Sequence, residues 1–267
     1  MPREHNRALT AGCYRGRVDL ATLSAPTTAS DALIPEPIQA EWLGRMAYRD
    51  GWDLQKRLAA ARADDEIVDR LLLVEHPAVL TLGRHADERH VLASPQDLGA
   101  RGIEVIRVER GGEVTYHGPG QLVAYPIVAL SRRGLLLRPL VRALEAAMIE
   151  TCAAFGVVAE RRDGHPGCWC DVAAQEPRKI GALGIRVERG VTYHGIALNI
   201  VPDLADFDLI DPCGMPGVRS TSIAAEGGQM PPGSTTEIVR AAAVEFATAL
   251  GRSLGTEIRF DAAVPGE

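Results

Sequence analysis

Cys213 stands in Asp211-Pro212-Cys213-Gly214-Met215, where proline and glycine flank the thiol in a turn that exposes it and holds it rigidly. A cysteine so placed is a candidate reactive thiol, since the thiolate is the nucleophilic form. The plainer reading is a small buried hydrophobe, the commonest fate of a free cysteine. Lys179 enters the small-residue run Lys179-Ile180-Gly181-Ala182-Leu183-Gly184-Ile185. Of 29 basic residues only Lys56 and Lys179 are lysine; the other 27 are arginine. Where arginine fills nearly every basic position, a retained lysine is a candidate for work arginine cannot do, namely giving up a proton and taking it back. Its plainer reading is a solvated lysine before an edge strand.

The segment Arg110-Gly111-Gly112-Glu113-Val114-Thr115-Tyr116-His117-Gly118-Pro119-Gly120-Gln121 concentrates four glycines and a proline beside a Thr-Tyr-His triplet. Glycine lets the backbone approach a ligand and leaves N–H groups free to donate. The segment is not a Walker A loop, since no Gly-Lys-Ser or Gly-Lys-Thr follows, nor does it carry the dinucleotide-binding Gly-x-Gly-x-x-Gly. Part of it has an echo: Ile106–Gly111 and Val114–Gly118 resemble Ile185–Gly190 and Val191–Gly195. Two copies make no solenoid. Either two similar strand–turn–strand elements share some sequence by chance, or two hairpins line one pocket, each presenting a tyrosine, a histidine and a glycine. His165, Cys168, Cys170 and Asp171 are close in sequence, but their spacing fits no zinc pattern, and no metal is expected. Cys152 falls on an apolar helix face, and His76 and His85 either border the pocket or, on the plainer reading, are structural.

These groups need a scaffold. A helix is predicted from about Pro37 to Arg62, with Ile38, Trp42, Met46, Leu54 and Leu58 near one face. Leu71–Glu75 and Ala78–Leu82 read as buried strands, 103–110 as an alternating strand and 122–130 as an apolar one. Leu137 to Phe155 recurs at helical spacing, with Pro139 in its first turn and Gly156 at its stop. Ile180 to Ile200 reads as a hairpin turning near Gly190. A last helix opens on the capping box Ser234-Thr235-Thr236-Glu237 and runs to Gly251. Interleaved strands and helices with hairpins among them predict an α/β (α+β) fold, a mixed sheet with flanking helices.

The chain has 267 residues, 46% hydrophobic and 24% charged, which suits a folded protein with a sizeable core rather than a disordered one. No apolar run approaches the length of a membrane span. Arg3, Arg7, Arg15 and Arg17 are followed by no clean apolar stretch, so no signal peptide is expected. A net charge of −6 argues against a dedicated nucleic-acid binder. Five cysteines, an odd number in a chain too long to need disulfide staples, point to a reduced, cytoplasmic protein. The expected organisation is a loose arm over residues 1–33 that includes Cys13, a catalytic domain over 34–260 and a tail over 261–267.

In order along the chain, Arg110–Gln121, Lys179–Arg186, His194–Asn199 and Asp211–Gly214 resemble the motifs of the lipoyl (octanoyl) transferases, and Val74–Pro77 with Thr81–Gly83 resembles that family's first motif. The likeness covers about residues 38–225. It implies the biotin/lipoate ligase catalytic-domain fold, and transfer of an octanoyl group from octanoyl-acyl carrier protein to a lysine of lipoyl domains. The acceptors implied are the lipoyl domains of 2-oxoacid dehydrogenase complexes and the glycine cleavage H protein. It implies Cys213 as nucleophile and Lys179 as its partner. Acyl-substrate contacts are implied at Arg110, Gly111, Gly112, Glu113, Val114, Thr115, Tyr116 and His117, at Ala182, Leu183 and Gly184, and at Gly195, Ile196 and Ala197. Glu113 departs from the family's usual Gln or Lys, and Cys168 and Cys170 stand in what should be an apolar-aromatic strand. A thioester donor and an amide product make the transfer downhill, so neither ATP nor another cofactor is expected. The alternatives are an ATP-dependent lipoate ligase of the same fold, a non-catalytic binding protein for lipoyl domains or acyl carriers, and a hydrolase in which His117 or His194 activates Cys213. Arg132, Arg133, Arg138 and Arg142 are a candidate docking patch for an acidic carrier, against the plainer reading of a solvated helix face.

Overall fold

The structure is a computed structural model and describes residues 36–260. The predicted arm, Cys13 and the predicted tail lie outside the described residues. In chain order the elements are β1 (Ile38–Arg45), α1 (Tyr48–Ala63), β2 (Arg70–Glu75), β3 (Val79–Leu82), α2 (Pro95–Ala100), β4 (Glu104–Arg107), β5 (Val114–His117), β6 (Gln121–Ile127), α3 (Leu137–Ala154), β7 (Glu160–Arg162), β8 (His165–Cys170), β9 (Arg178–Glu188), β10 (Val191–Asn199), β11 (Arg219–Ser220), α4 (Thr235–Leu254) and β12 (Ile258–Phe260).

Among the described residues one sheet runs in the order β12-β1-β2-β6-β10-β9-β8-β7, with β11 beside β9. β1 lies parallel to β2 and β12, β11 parallel to β9, and the other neighbours are antiparallel. A second sheet has the order β4-β3-β5. The central strands are covered on both faces, and their alternate side chains enter different cores. Leu71, Leu73, Leu122, Ala124, Ile196 and Leu198 pack with α3 and α4. Leu72, Val74, Val123, Tyr125 and Ala197 pack under Leu54 and Leu58 of α1. The mixed sheet with flanking helices is as predicted.

One element differs. Ile38–Arg45, predicted as the first half of a helix, is strand β1, and the helix begins only at Tyr48. Ile38, Trp42 and Met46 recur every four residues, and four is also a multiple of the strand period of two. Ile38 and Ala40 enter the main core and Trp42 packs against it, so the period of two holds over this stretch. The turn at 46–47 separates it from α1, whose buried positions Tyr48, Gly51, Gln55, Ala59 and Arg62 follow helical spacing.

A buried ionic knot ties α1 to the turn before α3. Asp69 accepts from Arg62 Nε at 2.6 Å, from Arg133 Nε, and from the Ala129 N–H at 3.0 Å. The Asp69 side chain is 3% exposed, and those of Arg62 and Arg133 are 8% and 10% exposed. Asp69→Ala leaves two guanidinium groups without their shared carboxylate in a site that water barely reaches. Urea unfolding is expected to register a loss of about 3–5 kcal/mol.

Candidate active site

Lys179 lies near the start of β9, between Trp169 of β8 and Ser220 of β11 in register. Its Nζ donates to the Pro166 carbonyl at 2.9 Å and sits 4.5 Å from the centre of the Trp169 ring. The ammonium is thus aimed by a carbonyl and a π-face rather than by a carboxylate. The Thr221 N–H donates to the Lys179 carbonyl at 2.9 Å, so the segment that follows Cys213 is tied to the lysine's own backbone.

Cys213 occupies a short 3-10 turn, Pro212–Gly214, and is half-buried. Its φ of +59° is left-handed, a conformation that a non-glycine residue holds only when its surroundings enforce it. The turn is fixed upstream, where the Asp211 N–H donates to the His90 carbonyl at 2.8 Å and Asp211 Oδ2 lies 3.3 Å from His90 Nδ1.

Cys213 and Lys179 line one cavity of about 410 Å³. Its walls come from the glycine-rich segment, from Ala182–Ile185 of β9, from His194–Ala197 of β10, and from Val123 and Tyr125 of β6. The glycine-rich segment lies directly on β9: the Gly111 N–H donates to the Ile185 carbonyl at 3.3 Å. A Cβ on Gly184 would stand 2.6 Å from the Gly111 carbonyl oxygen, so only glycine permits this approach.

Arg110 is buried and donates to Thr81 Oγ1, to the Thr81 carbonyl and to the Gly111 carbonyl. Among the described residues no carboxylate pairs with it, and burial draws its pKa below the ordinary arginine value. From Thr81 a polar chain leads inward. His117 Nε2 lies 3.4 Å from Thr81 Oγ1, and His117 Nδ1 donates to Gln121 Oε1 at 2.7 Å. Gln121 donates to Asn199 Oδ1, and Asn199 to the Thr221 carbonyl. Tyr48 stacks on His117 at 5.6 Å, and burial pushes its hydroxyl up to about 12.

The buried histidines are neutral. Burial, the first cause in each case, pulls His76 down to about 4 and His117 and His194 to about 3; Arg110 opposes the charge on the last two. In the unfolded chain these groups take up a proton near 6.5, and in the folded chain they resist it. Stability is therefore full above about pH 6.5 and falls as pH drops toward 4, by up to roughly 1.4 kcal/mol per pH unit for each histidine. Urea unfolding at pH 7, 6 and 5 reads this slope, and equal stabilities across the three would contradict it.

Of the residues expected at the site, Cys213, Lys179, Arg110, Gly111, Gly112, Glu113, Val114, Thr115, His117, Ala182, Leu183, Gly184, Gly195, Ile196 and Ala197 line this one cavity. Tyr116 does not. Its hydroxyl donates to Asp206 Oδ2 at 2.6 Å and its ring meets Phe207 edge-on at 5.2 Å. Thr115 and His117 flank it in β5, and strand alternation turns the residue between them to the opposite face. The echoed segments meet at the cavity through His117, His194 and Gly195, but Tyr193, like Tyr116, is spent elsewhere: its hydroxyl donates to Glu109. Glu113 sits against Gly214, where a Cβ would come within 2.9 Å of its Cγ, and accepts from the Asp87 N–H. His85 is exposed and His76 donates to the Met46 carbonyl; neither lines the cavity.

Tyr48, Tyr125, Leu137, Val141, His165 and Met215 also line the cavity and were not singled out as ligand contacts. They come from α1, β6, α3, β8 and the turn after Cys213, and apolar or aromatic residues in such elements read simply as core. Cys152 and Cys168 are both buried, and contact with Cys152 and burial raise the Cys168 thiol well above its ordinary value. Among the described residues no three His, Cys, Asp or Glu side chains converge on a metal position. In the basic patch, Arg132 pairs with Asp65, Arg133 with Asp69 and Arg142 with Glu145, so three of the four arginines are committed to carboxylates of this chain.

The fold has relatives. A bi-partite lipoate protein ligase from Thermoplasma acidophilum superposes with a TM-score of 0.59 at 14% identity, over 86% of this chain and 88% of that one. A lipoate-protein ligase A bound with ATP gives 0.58 at 15% identity, over 86% and 90%. Mixed sheet, flanking helices and cavity thus define a protein with the lipoate/biotin ligase catalytic-domain fold. The lipoyl protein ligase A/B catalytic domain matches residues 47–247. The octanoyltransferase of Chloroflexus aurantiacus is 50% identical over 195 residues, 73% of this chain and 86% of that one. The octanoyltransferase of Acidobacterium capsulatum is 44% identical over 220 residues, 79% and 89%. The chain belongs to the lipoyl (octanoyl) transferase family and is an acyltransferase that works in protein lipoylation.

Proposed function

We propose that this chain moves an octanoyl group from octanoyl-acyl carrier protein to a lysine of a lipoyl domain, through a thioester on Cys213. The observation that carries the reading is the shared cavity: the half-buried thiol and the motif lysine open into one space whose far walls are largely apolar. Among the described residues no helix is long and apolar enough to cross a membrane. A working thiol fits the reducing cytoplasm.

In the first half-reaction the Cys213 thiolate, held beside the Lys179 ammonium, attacks the thioester carbonyl. The carbon–sulfur bond to the carrier's phosphopantetheine breaks, and Lys179 gives its proton to the departing sulfur. Neutral Lys179 then takes a proton from the incoming lysine, whose nitrogen attacks the Cys213 thioester. The amide forms, the thiolate is released and Lys179 is again cationic. Backbone N–H groups of the glycine-rich segments stabilise the oxyanion of each tetrahedral intermediate, and buried Arg110 adds a fixed positive charge nearby.

An intact mass measured after incubation with octanoyl-acyl carrier protein is expected to rise by one octanoyl group, which a lipoyl domain then removes. Transfer from free octanoate only when ATP is added would favour the ligase chemistry instead, and release of octanoate to water in preference to a lysine acceptor would favour a hydrolase.

A further inference from the structure

Three histidines are buried around the cavity, and one of them is unlike the others. The ring nitrogens of His76 face Met46 and the Tyr125 hydroxyl, and those of His117 face Gln121 and Thr81. His194 is 1% exposed and lines the cavity, yet neither Nδ1 nor Nε2 has a hydrogen-bond partner among the described residues. Buried polar atoms are normally paired, so an unpaired imidazole on a cavity wall points to a group that the cavity brings.

The backbone is bent to put it there. His194 has φ of +57° in the middle of β10, a left-handed residue where a strand residue should be extended. Extended neighbours point to opposite faces. Here the Tyr193 and His194 rings stack instead, 4.9 Å apart. Gln55 of α1 pins the bend by accepting the His194 N–H at 2.8 Å, and its own amide nitrogen is also without a partner among the described residues.

The position along the sheet gives the imidazole a role. His194 is in register with Ile185, three residues beyond Ala182 on β9, or about 10 Å along the strand, and Ala182 borders the same narrow cleft as Cys213. Cys213 belongs to the Lys179 end, where Lys179, Cys213, Gly181 and Ser220 border one narrow cleft that His194 does not reach. An acyl chain held at Cys213 and laid along β9 therefore runs toward His194. Between them stand the rungs Ala182–Ala197, Leu183–Ile196 and Gly184–Gly195.

We propose that His194 is a specificity-determining residue, a polar stop at the tail end of the acyl cavity that sets the upper length of the acyl group. The proposal rests on the octanoyl-transfer reading above. The neutral ring offers one N–H and one acceptor nitrogen, both enclosed and unpaired among the described residues, and the octanoyl tail ends short of it. A longer saturated chain reaches the ring and pairs neither nitrogen, while a chain of the same length ending in a hydroxyl satisfies one of them.

The test compares kcat/KM for octanoyl, decanoyl and 9-hydroxynonanoyl carrier protein, the last two matching in chain atoms. The wild-type chain is expected to favour 9-hydroxynonanoyl over decanoyl by on the order of tenfold or more. His194→Phe keeps a ring but removes its nitrogens; relative to octanoyl on the same chain, decanoyl should gain and the preference for the hydroxyl should vanish. Equal use of the two longer groups by the wild-type chain overturns the proposal, and so does a His194→Phe chain that keeps the wild-type ratios, since that is the behaviour of a steric wall. The wild-type comparison decides alone if the variant does not fold. A wild-type chain that transfers no octanoyl group overturns the transferase reading and the proposal with it.

Discussion

Cys213→Ser is expected to stop transfer to the lipoyl domain, with a fall in kcat on the order of a thousandfold or more. An alcohol is a far weaker nucleophile than a thiolate at neutral pH, and an oxygen ester on serine returns its acyl group to an amine less readily than a thioester does. The residue is set in a left-handed turn between Pro212 and Gly214, and serine tolerates that backbone about as well as cysteine. Loss of activity should therefore come without loss of fold, and thermal unfolding of the two chains should coincide closely. Intact mass provides the second reading. The wild-type chain gains one octanoyl group and loses it to hydroxylamine, whereas the serine variant gains none or a slowly formed ester. A Cys213→Ser chain that still transfers octanoyl at the wild-type rate removes the thioester from the mechanism.

Lys179→Ala is expected to lower kcat by roughly 10²–10⁴-fold, the span of a well-placed proton donor and acceptor. Lys179→Arg should fail to restore it. Arginine keeps a positive charge near the thiol but stays protonated, so it cannot alternate between acid and base. The surroundings add a geometric reason: the Pro166 carbonyl and the Trp169 face receive a compact ammonium. The two half-reactions separate charge from proton transfer. If the Lys179→Arg chain forms the octanoyl-enzyme but does not discharge it to a lysine, charge assists the thiol and proton cycling serves the amine. Full activity in Lys179→Arg would leave Lys179 a purely electrostatic role.

Residue types alone singled out part of this site, and the family resemblance supplied the rest of the expected residues. A lone motif lysine, a cysteine held between proline and glycine, and a glycine-rich segment beside a histidine lie far apart in sequence and line a single cavity. Tyr116 was misplaced because a motif is read as a unit, whereas a strand shows its residues alternately to opposite faces. Tyr48, Tyr125, Leu137 and Val141 escaped because a residue that lines a cavity and one that fills a core have the same chemistry; only three-dimensional placement separates them. The fold was similarly readable where one period dominated, as in α3 and the β9–β10 hairpin. At β1 a spacing of four satisfied strand and helix alike, and pairing with β2 and β12 decided for the strand. His194 was singled out in sequence as the histidine of an echoed hairpin and as a candidate base, but neither its backbone bend nor its unpaired nitrogens leave a mark on residue type.

The pairing of β12 with β1 bears on how the molecule can be handled. Ile258 lies in register with Ile38, so the first and last described strands run side by side at one margin of the sheet. Five strand spacings separate β12 from the strand that carries Lys179, a lateral distance of about 24 Å. A surface linker or a fused reporter attached after β12 therefore sits well away from the strand that carries Lys179. Immobilised by that margin, the chain keeps the Lys179 side of the sheet free.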